Sequence, residues 1–110
     1  MLKLANSNVR SAVQRRQEFK NTNGTLFGRW ETRFLYVVYS YGEHFPLFLN
    51  DCSYGESAWA VNTDKYSVTT SRHFSQAHPR YETVASNTEE MKAYIRKASK
   101  LRPLHWRCDV

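Results

Sequence analysis

The sequence predicts a single α+β domain, in which an antiparallel sheet is flanked by one helix near each end of the chain. The chain has 110 residues, enough for one hydrophobic core but not for two. Apolar residues make up 41% of it and aromatic residues 15%, which is typical of a folded chain and not of a disordered one. Helical spacing of apolar residues near both ends, with strand-like segments between them, completes the prediction for residues 1–110.

The first predicted helix covers residues 7–20. Ser7, or Asn6 before it, can cap the first turn, because its side-chain oxygen accepts an amide hydrogen that has no partner within the helix. Apolar residues recur near one face of the segment: Val9, Ala12, Val13 and Phe19. Gly24 tolerates the left-handed conformation of a tight turn, so we expect the helix to have ended before it.

The middle of the chain, from about residue 25 to residue 70, predicts three to five antiparallel strands. The candidate strands cover residues 25–30, 33–41, 45–50, 59–61 and 66–70. Residues 33–41 are apolar or aromatic at both alternating sets of positions, which indicates a central strand covered on both faces. A short helix over 71–78, ended by Pro79, and a strand or extended link over 81–84 follow.

The second flanking helix is predicted over residues 88–100. The segment from Ser86 to Glu89 has the spacing of a capping box, in which two side chains satisfy the amides of the first turn. Apolar residues then repeat at helical spacing: Met91, Tyr94, Ile95, Ala98 and Leu101. Pro103 ends the helix.

The positive charge is concentrated at the two ends of the chain. The formal net charge is +6. Residues 1–20 contain five basic residues and one acidic residue, residues 88–110 contain six and three, and residues 21–87 contain five and six. Such separation of charge favours an acidic or polyanionic partner.

The composition argues against several other classes of protein. Cys52 and Cys108 lack the spacing of a zinc site, and the sequence does not decide whether they pair. No apolar run has the length of a signal peptide or a membrane span, so we expect a cytoplasmic protein that does not enter a membrane. The histidines lack metal-ligand spacing, and we predict no metal and no cofactor.

Basic residues in the two flanking helices are the first candidate site. They would form a phosphate-binding surface if the helices converge beside the sheet; they are Arg10, Arg15, Arg16, Lys92, Arg96, Lys97 and Lys100. Aromatic residues of the strands are candidates to stack on bases, or else to fill the core or an interface: Tyr39, Tyr41, Tyr54 and Trp59.

A polar cluster between residues 65 and 80 is the second candidate site. A strand that ends near Thr70 and a helix that begins at Ser71 would present amides and hydroxyls to an anion. The members of this cluster are Lys65, Thr70, Ser71, Arg72, His73 and Arg80. The alternative is that the hydroxyls only cap the helix. No phosphate-binding loop or nucleophile elbow is present, so we predict no catalytic residue.

Residues 34–80 resemble a family of small, functionally uncharacterised proteins from bacteriophages and other mobile elements. The resemblance rests on residues 36–47, on Trp59 and on residues 65–73. It implies a bacterial cytoplasmic setting and a viral accessory role, and it brings no catalytic residue.

Three functional hypotheses follow. The first is a non-enzymatic phage accessory module that binds nucleic acid or a nucleoprotein, for example to inhibit a host defence system. The second is an adaptor or inhibitor that binds an acidic host protein without nucleic acid, and the third is a small enzyme that acts on a phosphorylated substrate. A homodimer is compatible with each of them.

Overall fold

The computed structural model describes residues 2–5, 8–40, 45–52, 59–64, 77–79 and 83–101. Within these residues, seven strands form one sheet: β1 (Leu2–Leu4), β2 (Phe19–Asn21), β3 (Leu26–Trp30), β4 (Leu35–Ser40), β5 (Pro46–Asp51), β6 (Trp59–Asn62) and β7 (Thr83–Ser86). Helix α1 spans Val9–Gln14 and helix α2 spans Thr88–Leu101. The α+β class predicted from the sequence is confirmed.

The sheet is larger than predicted, and it is mixed. The strands lie in chain order from β1 to β7, and β2 to β6 form an antiparallel meander. At the two edges, β1 pairs in parallel with β2, and β6 pairs in parallel with β7. The prediction of three to five purely antiparallel strands was therefore wrong in its detail. Strands β1 and β2 lie outside the predicted 25–70 region. Each has only three residues and is stabilised by pairing with another strand, which its own sequence pattern does not show.

The strands predicted in the middle of the chain are confirmed where the structure describes them. Strand β4 is buried at every position, as its apolar residues on both faces predicted. Strands β3, β5 and β6 match the predicted segments to within about two residues at each end. The predicted strand 66–70 lies outside the described residues, as does the predicted helix 71–78 apart from its last two positions.

The predicted helix over residues 7–20 was wrong in length, because α1 has only six residues. Arg16 adopts a left-handed conformation with φ of 53°. Its amide donates to the carbonyl of Val13 (3.0 Å), and the amide of Gln17 donates to the carbonyl of Ala12 (2.9 Å). This pair of hydrogen bonds is a Schellman motif, which closes a helix and redirects the chain. Phe19, predicted on the helix face, is instead the first residue of β2.

A glycine in β3 permits close packing of the aromatic core around β2. Gly28 pairs with Phe19, and a Cβ atom at position 28 would overlap the ring of Phe19 and the hydroxyl of Tyr36. With no side chain there, Tyr36 passes across β3 and donates to the carbonyl of Gln17 (2.6 Å). This hydrogen bond satisfies a carbonyl of the turn that follows α1.

The two faces of the sheet carry separate hydrophobic cores. The face that we call the α1 side packs Val9, Ala12 and Val13 of α1 against buried residues of the strands, including Phe19, Leu26, Tyr36, Val38, Phe48, Trp59 and Val61. The opposite face, the α2 side, packs Met91, Ile95 and Ala98 of α2 against Leu35, Val37, Tyr39, Leu49, Phe27 and Ala60. The two helices therefore lie in different layers, with the sheet between them.

The described residues 77–79, which lie between β6 and β7, contact α1 on the α1 side. Ala77, in the segment between β6 and β7, is buried in the same core as α1. Beside it, the Arg10 guanidinium donates to the carbonyl of His78 (3.0 Å), and the Gln14 amide donates to the carbonyl of Pro79 (3.0 Å). Strands β1 and β6 point in the same direction, and α1 and residues 77–79 follow them on the same face, as connections of equal handedness require.

The predicted capping box of α2 exists, one residue further along the chain. Asn87 Oδ1 accepts from the amide of Glu90 (2.8 Å), and Glu90 Oε1 accepts from the amide of Asn87 (3.2 Å). Ser86, the predicted cap, belongs to β7. Asp64 Oδ2 also accepts from the amide of Thr88 (2.9 Å), which ties the start of α2 to the end of β6.

Candidate nucleic-acid interface

The two basic helices predicted to converge do not do so. Because α1 and α2 pack on opposite faces of the sheet, the arginines of the first and the basic residues of the second belong to different sides of the molecule. Arg10 is half-buried and holds the connection to β7 through His78. Arg16 forms the left-handed turn, and its carbonyl accepts from the indole of Trp30 (3.0 Å). Arg15 is exposed at the end of α1.

Basic residues from the two ends of the chain nevertheless share the α2 side. Lys3 of β1 lies directly beside Lys20 of β2, and Lys20 lies opposite Phe27 of β3. Phe27 in turn lies opposite Tyr39, which belongs to the core beneath α2. Directly paired residues of neighbouring strands point to the same face, so both lysines point to the α2 side.

Helix α2 adds its own basic residues to this side. Its apolar stripe faces the sheet, while Arg96 and Lys97 are exposed and Lys92 is half-exposed. Lys100 lies in the last turn of the helix. We define the basic face as the surface that contains these described side chains of the α2 side: Lys3, Lys20, Arg29, Lys92, Arg96 and Lys97.

An ordered aromatic cluster lies within the basic face. The rings of Phe27 and Tyr39 stack, with their centroids 5.1 Å apart and an interplanar angle of 23°. The guanidinium carbon of Arg29 lies 5.1 Å from the Tyr39 centroid and 5.7 Å from the Phe27 centroid, within the range of a cation–π contact. Glu31 Oε1 accepts from Arg29 Nε (2.5 Å) and from the Tyr39 hydroxyl (2.6 Å).

The electrostatics of this cluster keep Tyr39 a neutral donor. Burial raises the pKa of its hydroxyl far above the usual value, and the hydrogen bond to Glu31 raises it further. The carboxylate of Glu31 therefore holds Arg29 Nε, while the guanidinium carbon lies within cation–π distance of both rings. These contacts restrain the Arg29 side chain beside the two rings.

The positive charges of the lysines on β1 and β2 are not offset by a carboxylate in the described part of the chain. Lys3 and Lys20 are exposed, and no acidic side chain in the described part of the chain pairs with either ammonium group. Like charges directly beside each other on neighbouring strands destabilise the pairing. Arg96 and Lys97 likewise project into solvent from α2. A polyanion bound over this side would relieve the repulsion.

Two of the aromatic residues predicted to stack on bases are buried. Trp59 is 2% exposed, in the core of the α1 side, and Tyr39 is 3% exposed under the Arg29 guanidinium. Tyr41 and Tyr54 lie outside the described residues, as do all the members of the polar cluster: Lys65, Thr70, Ser71, Arg72, His73 and Arg80. The anion site predicted at this cluster therefore stays a prediction.

Sequence reasoning missed the members of the basic face that lie on strands. Lys3, Lys20, Phe27 and Arg29 were not among the predicted site residues. The available signal was the alternation in Leu2-Lys3-Leu4 and in Phe19-Lys20-Asn21, where a basic residue stands between two uncharged residues. Three residues are too few for this pattern to stand out against the helical spacing nearby.

The part of the chain that the structure describes offers few other candidate functional groups. No group of three or more His, Cys, Asp or Glu side chains there is arranged to hold a metal ion. Cys52 Sγ donates to Asn50 Oδ1 (3.0 Å), and Cys108 lies outside the described residues. No described helix combines the length and the apolar character that crossing a bilayer requires.

Searches against family models, curated proteins and solved structures found no match for the chain. The resemblance to phage proteins accordingly stays a prediction, and the functional argument rests on the geometry of the basic face.

Proposed function

We propose that this protein is a non-enzymatic module that binds nucleic acid through the basic face. The observation that carries the proposal is that Lys3 and Lys20 from one end of the chain and Arg96 and Lys97 from the other end lie on the same side of the sheet. Lysine and arginine side chains that neutralise phosphates supply most of the affinity of non-specific nucleic-acid binding, because they release condensed counterions.

The arrangement of acidic residues is consistent with this proposal. Around the same side, Glu31 is held by Arg29 and Tyr39, Glu90 by the capping box, and Asp51 by the Tyr94 hydroxyl. Glu18 accepts from the amide of Trp30 (3.1 Å). These carboxylates are used within the fold, whereas the outward ammonium and guanidinium groups of β1, β2 and α2 face solvent.

The biological setting of the proposal comes from the sequence resemblance alone. In that setting the protein is an accessory factor of a phage or mobile element, and it acts on host nucleic acid or a nucleoprotein. Inhibition of a host defence system is one such action. The proposed binding surface does not depend on this setting.

Charge reversal on the basic face tests the proposal. We expect Lys20→Glu and Lys97→Glu each to weaken binding of a fluorescent oligonucleotide about fivefold or more, and to reduce the slope of log K against log salt by about 1. The measurement is fluorescence anisotropy between about 50 and 200 mM salt. Circular dichroism of each variant checks that the fold is retained.

The matched control is Arg15→Glu, which makes the same change in net charge at an exposed position outside the basic face. It should bind within about twofold of the wild type at physiological salt, where screening limits the reach of a distant charge. Equal losses in all three variants would show that net charge, and not the basic face, governs binding. Absence of binding at low salt would refute the proposal. A nuclease-resistant complex with a host protein would then support the adaptor hypothesis.

A further inference from the structure

We infer that the basic face selects single-stranded nucleic acid, with one base stacked on the Arg29 guanidinium while Lys3 and Lys20 hold neighbouring phosphates. This inference rests on the proposed function and names its class of ligand. It depends on the aromatic cluster of Phe27, Arg29, Glu31 and Tyr39. A site that binds only phosphates does not need such a cluster.

The guanidinium plane is the group on which a base would stack. Unpaired bases are bound in proteins by stacking on aromatic rings or on arginine planes. Arg29 contacts the rings of Phe27 and Tyr39, and its Nε donates to Glu31. Its side chain retains 30% relative exposure, so part of it is accessible to a ligand. A plane held in place before binding loses little conformational entropy when the ligand arrives.

The lysines are placed to hold the backbone on either side of such a base. Lys20 is one strand away from Phe27, and Lys3 is one strand further. Neighbouring strands lie about 4.8 Å apart, so the two lysines and the cluster form a row across three strands at intervals of that size. A flexible single strand can follow this row with its phosphates on the lysines and a base on Arg29.

A duplex cannot use this cluster in the same way. Its bases are paired and stacked inside the helix, and side chains reach only their edges, through the grooves. A duplex therefore gains only the phosphate contacts of the basic face. The aromatic cluster thus predicts that a single strand binds more tightly than a duplex, and that this preference depends on exposed bases and not on charge.

The experiment compares three ligands of equal length: a single strand, the same strand with abasic sites throughout, and a duplex. We expect the single strand to bind about fivefold or more tightly than the abasic strand, because the abasic strand keeps the phosphates and lacks the bases. The duplex should bind more weakly than the single strand at equal salt.

Arg29→Lys is the informative variant, because it keeps the positive charge and removes the planar group. It should weaken binding of the normal strand about fivefold and leave the abasic strand unchanged. If this variant does not fold, the wild-type comparison of the normal and abasic strands decides the question without it. Lys20→Glu is the control, since it should weaken both strands equally.

Equal affinity for the normal and abasic strands, or tighter binding of the duplex, would overturn this inference and leave the proposed function standing. Failure to bind all three ligands at low salt would overturn both. The two ideas therefore fail in distinguishable ways.

Discussion

The two sides of the sheet use their polar groups differently. On the α1 side, Arg10, Gln14 and Tyr36 direct their polar ends to backbone carbonyls of the connections between strands. On the α2 side, Lys3, Lys20 and the outer residues of α2 direct their charges to solvent. One side is therefore built to close the fold, and the other presents charge that the fold does not use.

The largest expected effect concerns the α1 side. We expect Gly28→Ala to reduce the free energy of unfolding by about 3 kcal/mol, because the added methyl group overlaps the Phe19 ring and the Tyr36 hydroxyl. Urea unfolding at neutral pH measures the change. Since Gly28 points away from the basic face, the fraction that remains folded should bind oligonucleotide as the wild type does. A variant as stable as the wild type would contradict this account of the β2–β3 packing.

A matched pair of tyrosines tests whether the two sides differ in role. Tyr36→Phe removes the donor to Gln17, and Tyr39→Phe removes the donor to Glu31. Each should lower stability by about 1–2 kcal/mol, because a hydrogen-bond acceptor loses its partner. Only Tyr39→Phe should also weaken binding of a single strand, because it loosens Glu31 and with it Arg29. Equal binding by the two variants would remove the distinction between the sides.

The smallest effect concerns the anchor of α2 and depends on pH. Hydrogen bonds from Thr88 hold the pKa of Asp64 below its usual value, so the carboxylate is favoured in the folded chain. Its stabilising contribution is complete above the unfolded pKa of about 3.9 and is lost as the pH falls through the folded value. The stability difference between wild type and Asp64→Asn should therefore be constant above about pH 5 and shrink below about pH 4. Urea midpoints across this range measure it, and a constant difference at all pH values would contradict the assignment.

The sequence was most informative where a segment's own pattern determines its structure. Strand β4 carries apolar residues at consecutive positions, and α2 carries a long apolar repeat, so both were predicted close to their true limits. The cap of α2 was predicted one residue early because Ser86 and Asn87 are both good capping residues. The sheet decides between them: Ser86 pairs with Asn62 as the last residue of β7, which leaves Asn87 as the cap.

The edges of the sheet and the site depended on contacts that are distant in sequence. Phe19 fits a helical face by spacing, but the left-handed turn at Arg16 and the pairing with Gly28 place it in a strand. In this strand Lys20 points to the α2 side, whereas the predicted helix over residues 7–20 would not have placed it there. The two helices predicted to converge pack on opposite faces, and Lys3 and Lys20, not the arginines of α1, share the α2 side with Arg96 and Lys97. The sequence does not reveal on which face each helix packs.

The chain-ordered arrangement of the strands has a consequence for how the molecule opens. From β2 to β6 each strand is hydrogen-bonded to its neighbours in the sequence, so this meander can close through contacts of short loop length. Strands β1 and β7 join it only through crossovers, and β7 carries Val84 at 73% exposure. Amide hydrogens of β4 and β5 should then exchange only by global unfolding, whereas those at the two edges exchange through local fraying. Lys3 lies on one of those edges, so we expect the basic face to be rigid over β3 and β4 and mobile at β1, where it could adjust to the proposed ligand.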